Sequence, residues 1–421
     1  MNHTVLTFIT KVEPGRVKEL AGLLDEIAGN LLGNAHLPFP ALKRLHFASL
    51  FLNEDKSYGA YLIFENNFDG DLEDYLDDLY AQAAAGLHRI YSCCRDYPAT
   101  SAADRPHMLA YLRRHVVRPN AYHVGNVGRS LERVRQEDAL RDGLETFLDD
   151  VVKQGGASAP PATIRQKIQG FVQGIPAFAW ALRSQPRQTL AEWLVPRLKL
   201  VAAALAVLLL VPVIIPISIV WLIVLRSKER SDPAQSTLGD QAHIKELVRR
   251  EDRTRVVQNH MASFTQVKPG WFRQATLRVV LWMVNLIAHA VFTKGKLLGI
   301  PTIHFAHWSL IDNGRRLLFV SNFDGSWENY LDDFIDKASV GLTAIWSNTA
   351  GFPRTSFLIC EGARDGARFK AYARDSQTYT NVWYSAYPHL TVEAINNNTS
   401  IREDLFTALD DAGTRSWLWR F

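Results

Sequence analysis

The segment "NFDGDLEDYLDD" occupies Asn67–Asp78, and "NFDGSWENYLDD" occupies Asn322–Asp333; nine of the twelve positions are identical, 255 residues apart. The likeness extends outward on both sides. "KVEPG" (Lys11–Gly15) answers "QVKPG" (Gln266–Gly270), and "LHFASLFL" (Leu45–Leu52) answers "IHFAHWSL" (Ile303–Leu310). Downstream, "AGLHRIYS" (Ala85–Ser92) answers "VGLTAIWS" (Val340–Ser347). "AYLRRHVVRPNAYHVG" (Ala110–Gly125) then answers "AYARDSQTYTNVWYSA" (Ala371–Ala386). The blocks keep their order, so the chain reads as one domain written twice, over residues 1–150 and 250–412.

Each copy alternates the same periods. An apolar strand (Val5–Val12; Met261–Val267) meets Pro-Gly and then a helix. A second strand (Leu45–Leu52; Ile303–Ile311) turns through polar residues into a third (Ala60–Glu65; Leu317–Ser321), an antiparallel hairpin. The NFDG segment opens a helix whose Leu72, Tyr75, Leu76 and Leu79 fall on one face, as do Trp327, Tyr330, Leu331 and Phe334. Asp71 and Ser326 suit the N-cap, and Gly70 and Gly325 permit a sharp exit from the strand. A last strand, "AYHVGNV" or "VWYSAY", precedes a terminal helix. The order β-α-β-β-α-β is the ferredoxin-like pattern. The crowding of Asp69, Asp71, Glu73 and Asp74 lacks the spacing of an EF-hand loop, and no calcium site is expected.

The duplicated unit, with its strand running into an acidic-capped helix at NFDG, resembles the dimeric α+β barrel superfamily. That group includes antibiotic-biosynthesis-type monooxygenases, chlorite dismutase and dye-decolourising peroxidases. The GxxDG motif of the last is echoed by NFDG, with Asn66 and Ser321 standing where its first glycine would be. The resemblance implies an α+β fold in which two ferredoxin-like repeats form a pseudo-dimeric barrel, with a cavity within or beside the sheets. It allows haem as a cofactor, and peroxidase or monooxygenase chemistry.

Between the copies, Leu200–Leu225 is an uncharged run of 26 residues, longer than the roughly 20 needed to cross a bilayer. Arg197 and Lys199 precede it and Arg226, Lys228 and Arg230 follow, so the flanks give no direction. Pro212 and Pro216 would bend it. A single crossing would separate the repeats; a re-entrant hairpin would keep both on the cytoplasmic face of an inner membrane, where they can pair, and the balanced flanks favour the second. The stripe of Ile164, Ile168, Phe171, Val172 and Ile175 suits an interfacial helix. The expected division is therefore a linker at 151–163, an amphipathic and membrane segment at 164–231, a linker at 232–249 and an aromatic-basic tail at 413–421. That tail suits lipid headgroups or docking onto its own domain. The helix at Ala275–Phe292 is apolar all round, which calls for a cover of lipid or protein.

Of 421 residues, 21% are charged, 47% are hydrophobic and the net charge is +4, too mild to suggest nucleic acid. Three cysteines without framework spacing fit a reducing compartment, and no Cys/His metal pattern is evident. His46 and His304 are the histidines shared by both copies. Strict alternation would put His46, Ala48 and Leu50 on one face, and His304, Ala306 and Trp308 on its counterpart, lining the space between the sheets. There the imidazoles could move a proton or ligate haem. His307, Trp346, Tyr384 and His389 could add polar or redox-active groups, and Asp69 and Asp324 could be acids at a cavity mouth. The first functional expectation is a membrane-anchored oxidoreductase acting on an apolar or lipid-derived substrate; the alternative is a non-catalytic membrane-bound binding or scaffold protein.

Overall fold

The structure, a computed structural model, describes residues 3–98, 104–154, 159–183, 190–233, 241–251, 257–291 and 296–421. Parts of both expected linkers, and of the start of the second copy, fall outside these. The first half runs β1 (His3–Lys11), α1 (Val17–Gly29), β2 (Leu45–Asp55), β3 (Gly59–Asp69), α2 (Leu72–Tyr91), α3 (Arg105–Arg114), β4 (Val116–Val117), β5 (Ala121–Val124) and α4 (Leu131–Lys153). Then come α5 (Pro161–Gly174), α6 (Leu190–Leu209), α7 (Val211–Ser231) and α8 (Gln241–Glu251). The second half begins with β6 (Gln258–Gln266), α9 (Trp271–Ala290), β7 (Ile303–Ile311), β8 (Arg316–Asp324) and α10 (Trp327–Trp346). It ends with β9 (Thr355–Ser356), β10 (Cys360–Glu361), α11 (Gly366–Asp375), β11 (Gln377–Thr378), β12 (Val382–Ser385), α12 (Val392–Asp404) and α13 (Asp411–Leu418).

Two five-stranded antiparallel sheets result, ordered β12-β2-β3-β1-β4 and β11-β6-β8-β7-β5. The helices after NFDG form as their sequence dictates. Asp71 accepts the Glu73 and Asp74 amides, Ser326 accepts that of Asn329, and Gly70 and Gly325 hold φ of +91° and +81°. The apolar stripe of each packs on the outer face of its own sheet, with Tyr75, Leu76 and Leu79 in one core and Tyr330, Leu331 and Phe334 in the other.

The last expected strand of each copy lies elsewhere. The fourth place in each sheet goes to the short β4 and β11, while β5 pairs with β7 and β12 pairs with β2, each in the other half's sheet. The cause is local. Pro119 lacks an N–H and ends the pairing of β4. Asn120 then hooks the chain onto β7, its N–H donating to Trp308 O (2.8 Å) and its Oδ1 accepting from Leu310 N (2.7 Å). The corresponding Asn381 accepts from Leu52 N at 3.2 Å. Side chains from the facing sheets, including Phe51, Ile63, Leu318 and Val320, interdigitate in a shared core.

The apolar run divides at Leu210 (φ −94°, ψ 4°) into α6 and α7. Pro212 sits in the first turn of α7, where its missing N–H costs nothing, so the break precedes it. Both helices return to α9: α6 packs along it, and Trp221 Nε1 of α7 donates to Thr276 Oγ1 at 3.1 Å. The buried Glu229 carboxylate then pins α7 by accepting from the Phe357 and Leu358 amides (2.9 and 2.8 Å). Helix α7 is long and apolar enough to cross a membrane, with mean hydropathy 1.8 over a window only 6% buried.

One expectation about a lipid-facing segment is corrected, and the choice left open for the tail is decided. Ile168 and Val172 of α5 are fully buried against α4, α12 and α13, so that stripe packs on protein. In the tail, Trp417 is buried and its indole donates to Ile401 O at 3.0 Å, which docks the tail on its own domain.

Candidate functional site

A β-bulge aims the two shared histidines. The register slips between Leu45 and Phe47 against β3, and between Ile303 and Phe305 against β8. The extra residue lets His46 and Phe47 both face the opposite sheet, and so do His304 and Phe305. Beyond the bulge the alternation is reset. Ala48 and Leu50 therefore pack under the helices of their half, as do Ala306 and Trp308; the expectation that these four share the histidine face is overturned. Ser49 and His307 face inward instead.

At the centre, Phe47 and Phe305 meet edge to face at 5.7 Å, flanked by two His–Asp pairs. His46 Nε2 lies 3.0 Å from Asp69 Oδ1, and His304 Nε2 lies 2.7 Å from Asp324 Oδ1. The other oxygen of each aspartate accepts the first amide of the helix after an exchanged strand: Leu131 N to Asp69 Oδ2 (2.7 Å) and Val392 N to Asp324 Oδ2 (2.8 Å). The aspartate of NFDG thus ties a bulged histidine to the helix that follows strand exchange. Both are buried rather than set at a cavity mouth. Burial pushes the Asp69 carboxyl up, but the charge and hydrogen bond of His46, with the His3 ring beside them, outweigh it and hold the group well below the usual range.

The halves differ around these pairs. In the first, His3 stands opposite Asp69, its Nδ1 3.1 Å from Oδ1 and its Nε2 3.2 Å from Asn126 O. In the second, Gln258 takes that place opposite Asp324, with Nε2 3.3 Å from His304 Nε2 and 3.1 Å from Tyr387 O. His46 Nδ1 meets Tyr387 Oη at 2.9 Å, and Asn126 Nδ2 donates to the same oxygen at 3.0 Å. Burial lowers the basicity of His3 and raises the Tyr387 pKa well above normal.

A second polar cluster surrounds Glu65, which is fully buried on β3. Its carboxylate accepts from Ser49 Oγ (2.8 Å), Asn67 Nδ2 (2.6 Å) and Asn322 Nδ2 (3.1 Å). From the opposite sheet, His260 Nε2 approaches to 3.4 Å and His307 Nδ1 to 3.9 Å. Burial raises the Glu65 pKa, yet the hydrogen bond and charge of His260 and the charge of His307 bring it below the ordinary value. Burial drives His307 down to about 4.

Of the sequence candidates, His46, His304, His307, Asp69 and Asp324 reach the space between the sheets. Three do not. Trp346 packs with Trp308 and Phe319 under α10, Tyr384 stacks on Phe39 on the helix-covered face, and His389 is exposed beside Asp138. Sequence reasoning missed His3, Glu65, His260, Gln258, Asn126 and Tyr387. Glu65 carried a signal, as a lone carboxylate inside the apolar run "YLIFENNF"; the rest are defined by cross-sheet register.

These residues do not fit a haem. Both ring nitrogens of His46 are engaged. His304 lies under Phe47 and Tyr387, with ring centroids 5.1 and 5.9 Å away, where a porphyrin face would have to stand. What the arrangement can do is hold protons along Asn126–Tyr387–His46–Asp69, or hold a small ion. Compared with known family models, curated proteins and solved structures, the chain matches none.

Proposed function

We propose that this chain is a membrane-anchored binding protein built from two ferredoxin-like halves paired as a pseudo-dimeric α+β barrel, both on the same side of the bilayer. One observation carries the reading: α6, α7 and α9 present an apolar surface that no other described residue covers. Leu205, Leu209, Ile217 and Ile223 are more than half exposed, and so are Val279 and Trp282 on α9. Soluble monomers rarely show apolar patches beyond a few hundred Å², and lipid is the cover this composition suits. The strand exchange supports the one-sided arrangement, because β5 and β12 cannot pair across a membrane. The strand order, with β1 between β3 and β4 and β6 between β8 and β11, supports the ferredoxin-like reading. Both sheets are covered outside by helices, so a partner would meet helices or lipid rather than a sheet face.

The packed inter-sheet core favours binding over haem chemistry. Flotation of the full chain with lipid vesicles tests the anchor: it should float and resist high salt, and Ile215→Asp/Ile219→Asp should reduce flotation several-fold. A wild-type chain that stays monomeric in buffer and does not float would refute it. Added haemin should give no Soret shift; a band lost in His304→Ala would restore the oxidoreductase reading.

A further inference from the structure

We propose that His3, His46 and Asp69 bind one divalent first-row transition ion, which closes the seam between the two halves. One nitrogen from each histidine and one oxygen from Asp69 lie within 4.8 Å of one another. Tetrahedral ligands bonded at about 2.1 Å stand roughly 3.4 Å apart, so small side-chain movements would make the site.

The hydrogen bonds around it leave a gap that a cation fills. His3 Nε2 donates to the Asn126 carbonyl, which leaves Nδ1 of the neutral ring bare. That nitrogen faces Asp69 Oδ1 at 3.1 Å, yet it makes no hydrogen bond, and the side chain is only 4% exposed. A bare lone pair this close to a carboxylate oxygen is unfavourable until a proton or a metal is shared by the two groups. The outward atoms of all three side chains are already held. Asn126 O takes His3 Nε2, Tyr387 Oη takes His46 Nδ1, and the Leu131 amide takes Asp69 Oδ2. Outer partners of this kind orient metal-binding imidazoles and carboxylates. They come from the segments that follow β5 and β12, so the ion would bind where the exchanged strands enter.

The second half supplies an internal comparison. Gln258 replaces His3 and directs an amide N–H donor, not a lone pair, toward Tyr387 O. Among the described residues the geometry therefore offers one such site. Two imidazoles and a single carboxylate suit Zn²⁺, Co²⁺, Fe²⁺ or Mn²⁺, whereas Ca²⁺ and Mg²⁺ require more oxygen ligands.

The test uses the full chain in detergent, purified by a C-terminal tag without histidines and stripped with a chelator. Titrated Co²⁺ should produce visible d–d bands that saturate at one equivalent, and Zn²⁺ should displace them. His3→Gln, which copies the second half, should abolish the bands while circular dichroism stays unchanged; His389→Gln, at an exposed histidine, should retain them. Absence of bands in the wild type, or full binding by folded His3→Gln, would overturn the proposal.

Discussion

At the scale of single residues, Glu65 is a fully buried carboxylate in the inter-sheet core, and three neutral donors with two histidines compensate it. Removing the carboxylate strands those donors. Glu65→Leu should cost about 3–5 kcal/mol, read as a large drop in thermal midpoint in detergent, while Glu65→Gln, which keeps an acceptor, should cost less than half as much. A second prediction concerns acid. His307 and His123 are pushed by burial down to about 4 and about 3, His123 with help from the His289 charge. Both take up protons on unfolding near pH 6.5, whereas the folded chain stays neutral there. Their contribution to stability is therefore complete above pH 6.5 and lost as pH falls toward about 4 for His307 and about 3 for His123. Between pH 8 and pH 5, His307 alone should account for about 2 kcal/mol, so His307→Gln should flatten the fall of thermal midpoint with pH. An unchanged slope would show that the imidazole is charged in the fold.

At the scale of elements, the exchanged strand β5 depends on a close approach at Gly125. Its N–H donates to His304 O at 2.7 Å, and a Cβ there would stand 2.2 Å from Ile303 O, a backbone atom that cannot swing away. Gly125→Ala should therefore cost about 2–4 kcal/mol, while Gly15→Ala, with open space around it, should be near neutral in the same unfolding assay. The elements themselves were legible in the sequence. The stripes on α2 and α10, their caps at Asp71 and Ser326, and the paired hairpin strands all follow from local chemistry. Two features were not. A bulge at His46 and at His304 inserts a residue that no period reveals, so the faces assigned to Ala48, Leu50, Ala306 and Trp308 came out reversed. Nor does "AYHVGNV" show which sheet will receive it, because a strand reads the same whichever edge it joins. The site was legible only so far as both halves share it. His46, His304 and their aspartates recur at matching positions, whereas His3 and Tyr387 gain their meaning from register and from the other half.

At the scale of the whole molecule, strand exchange and the broken apolar segment make one argument. A chain whose halves complete each other's sheets cannot place them on opposite sides of a bilayer. On the proposed membrane anchoring, the intervening hydrophobic helices would then enter and leave the lipid from one side, with the chain turning back at the break at Leu210. Labelling of a paired-cysteine variant in sealed vesicles tests this directly. Ser57→Cys in the first half and Ala408→Cys in the second are both exposed; exposed Cys360 is replaced by serine, and Cys93 and Cys94 remain buried. Saturated with a membrane-impermeant maleimide and weighed intact, each molecule should carry two labels or none, whichever way it is inserted. A population dominated by singly labelled chains would put the halves on opposite sides and contradict the account.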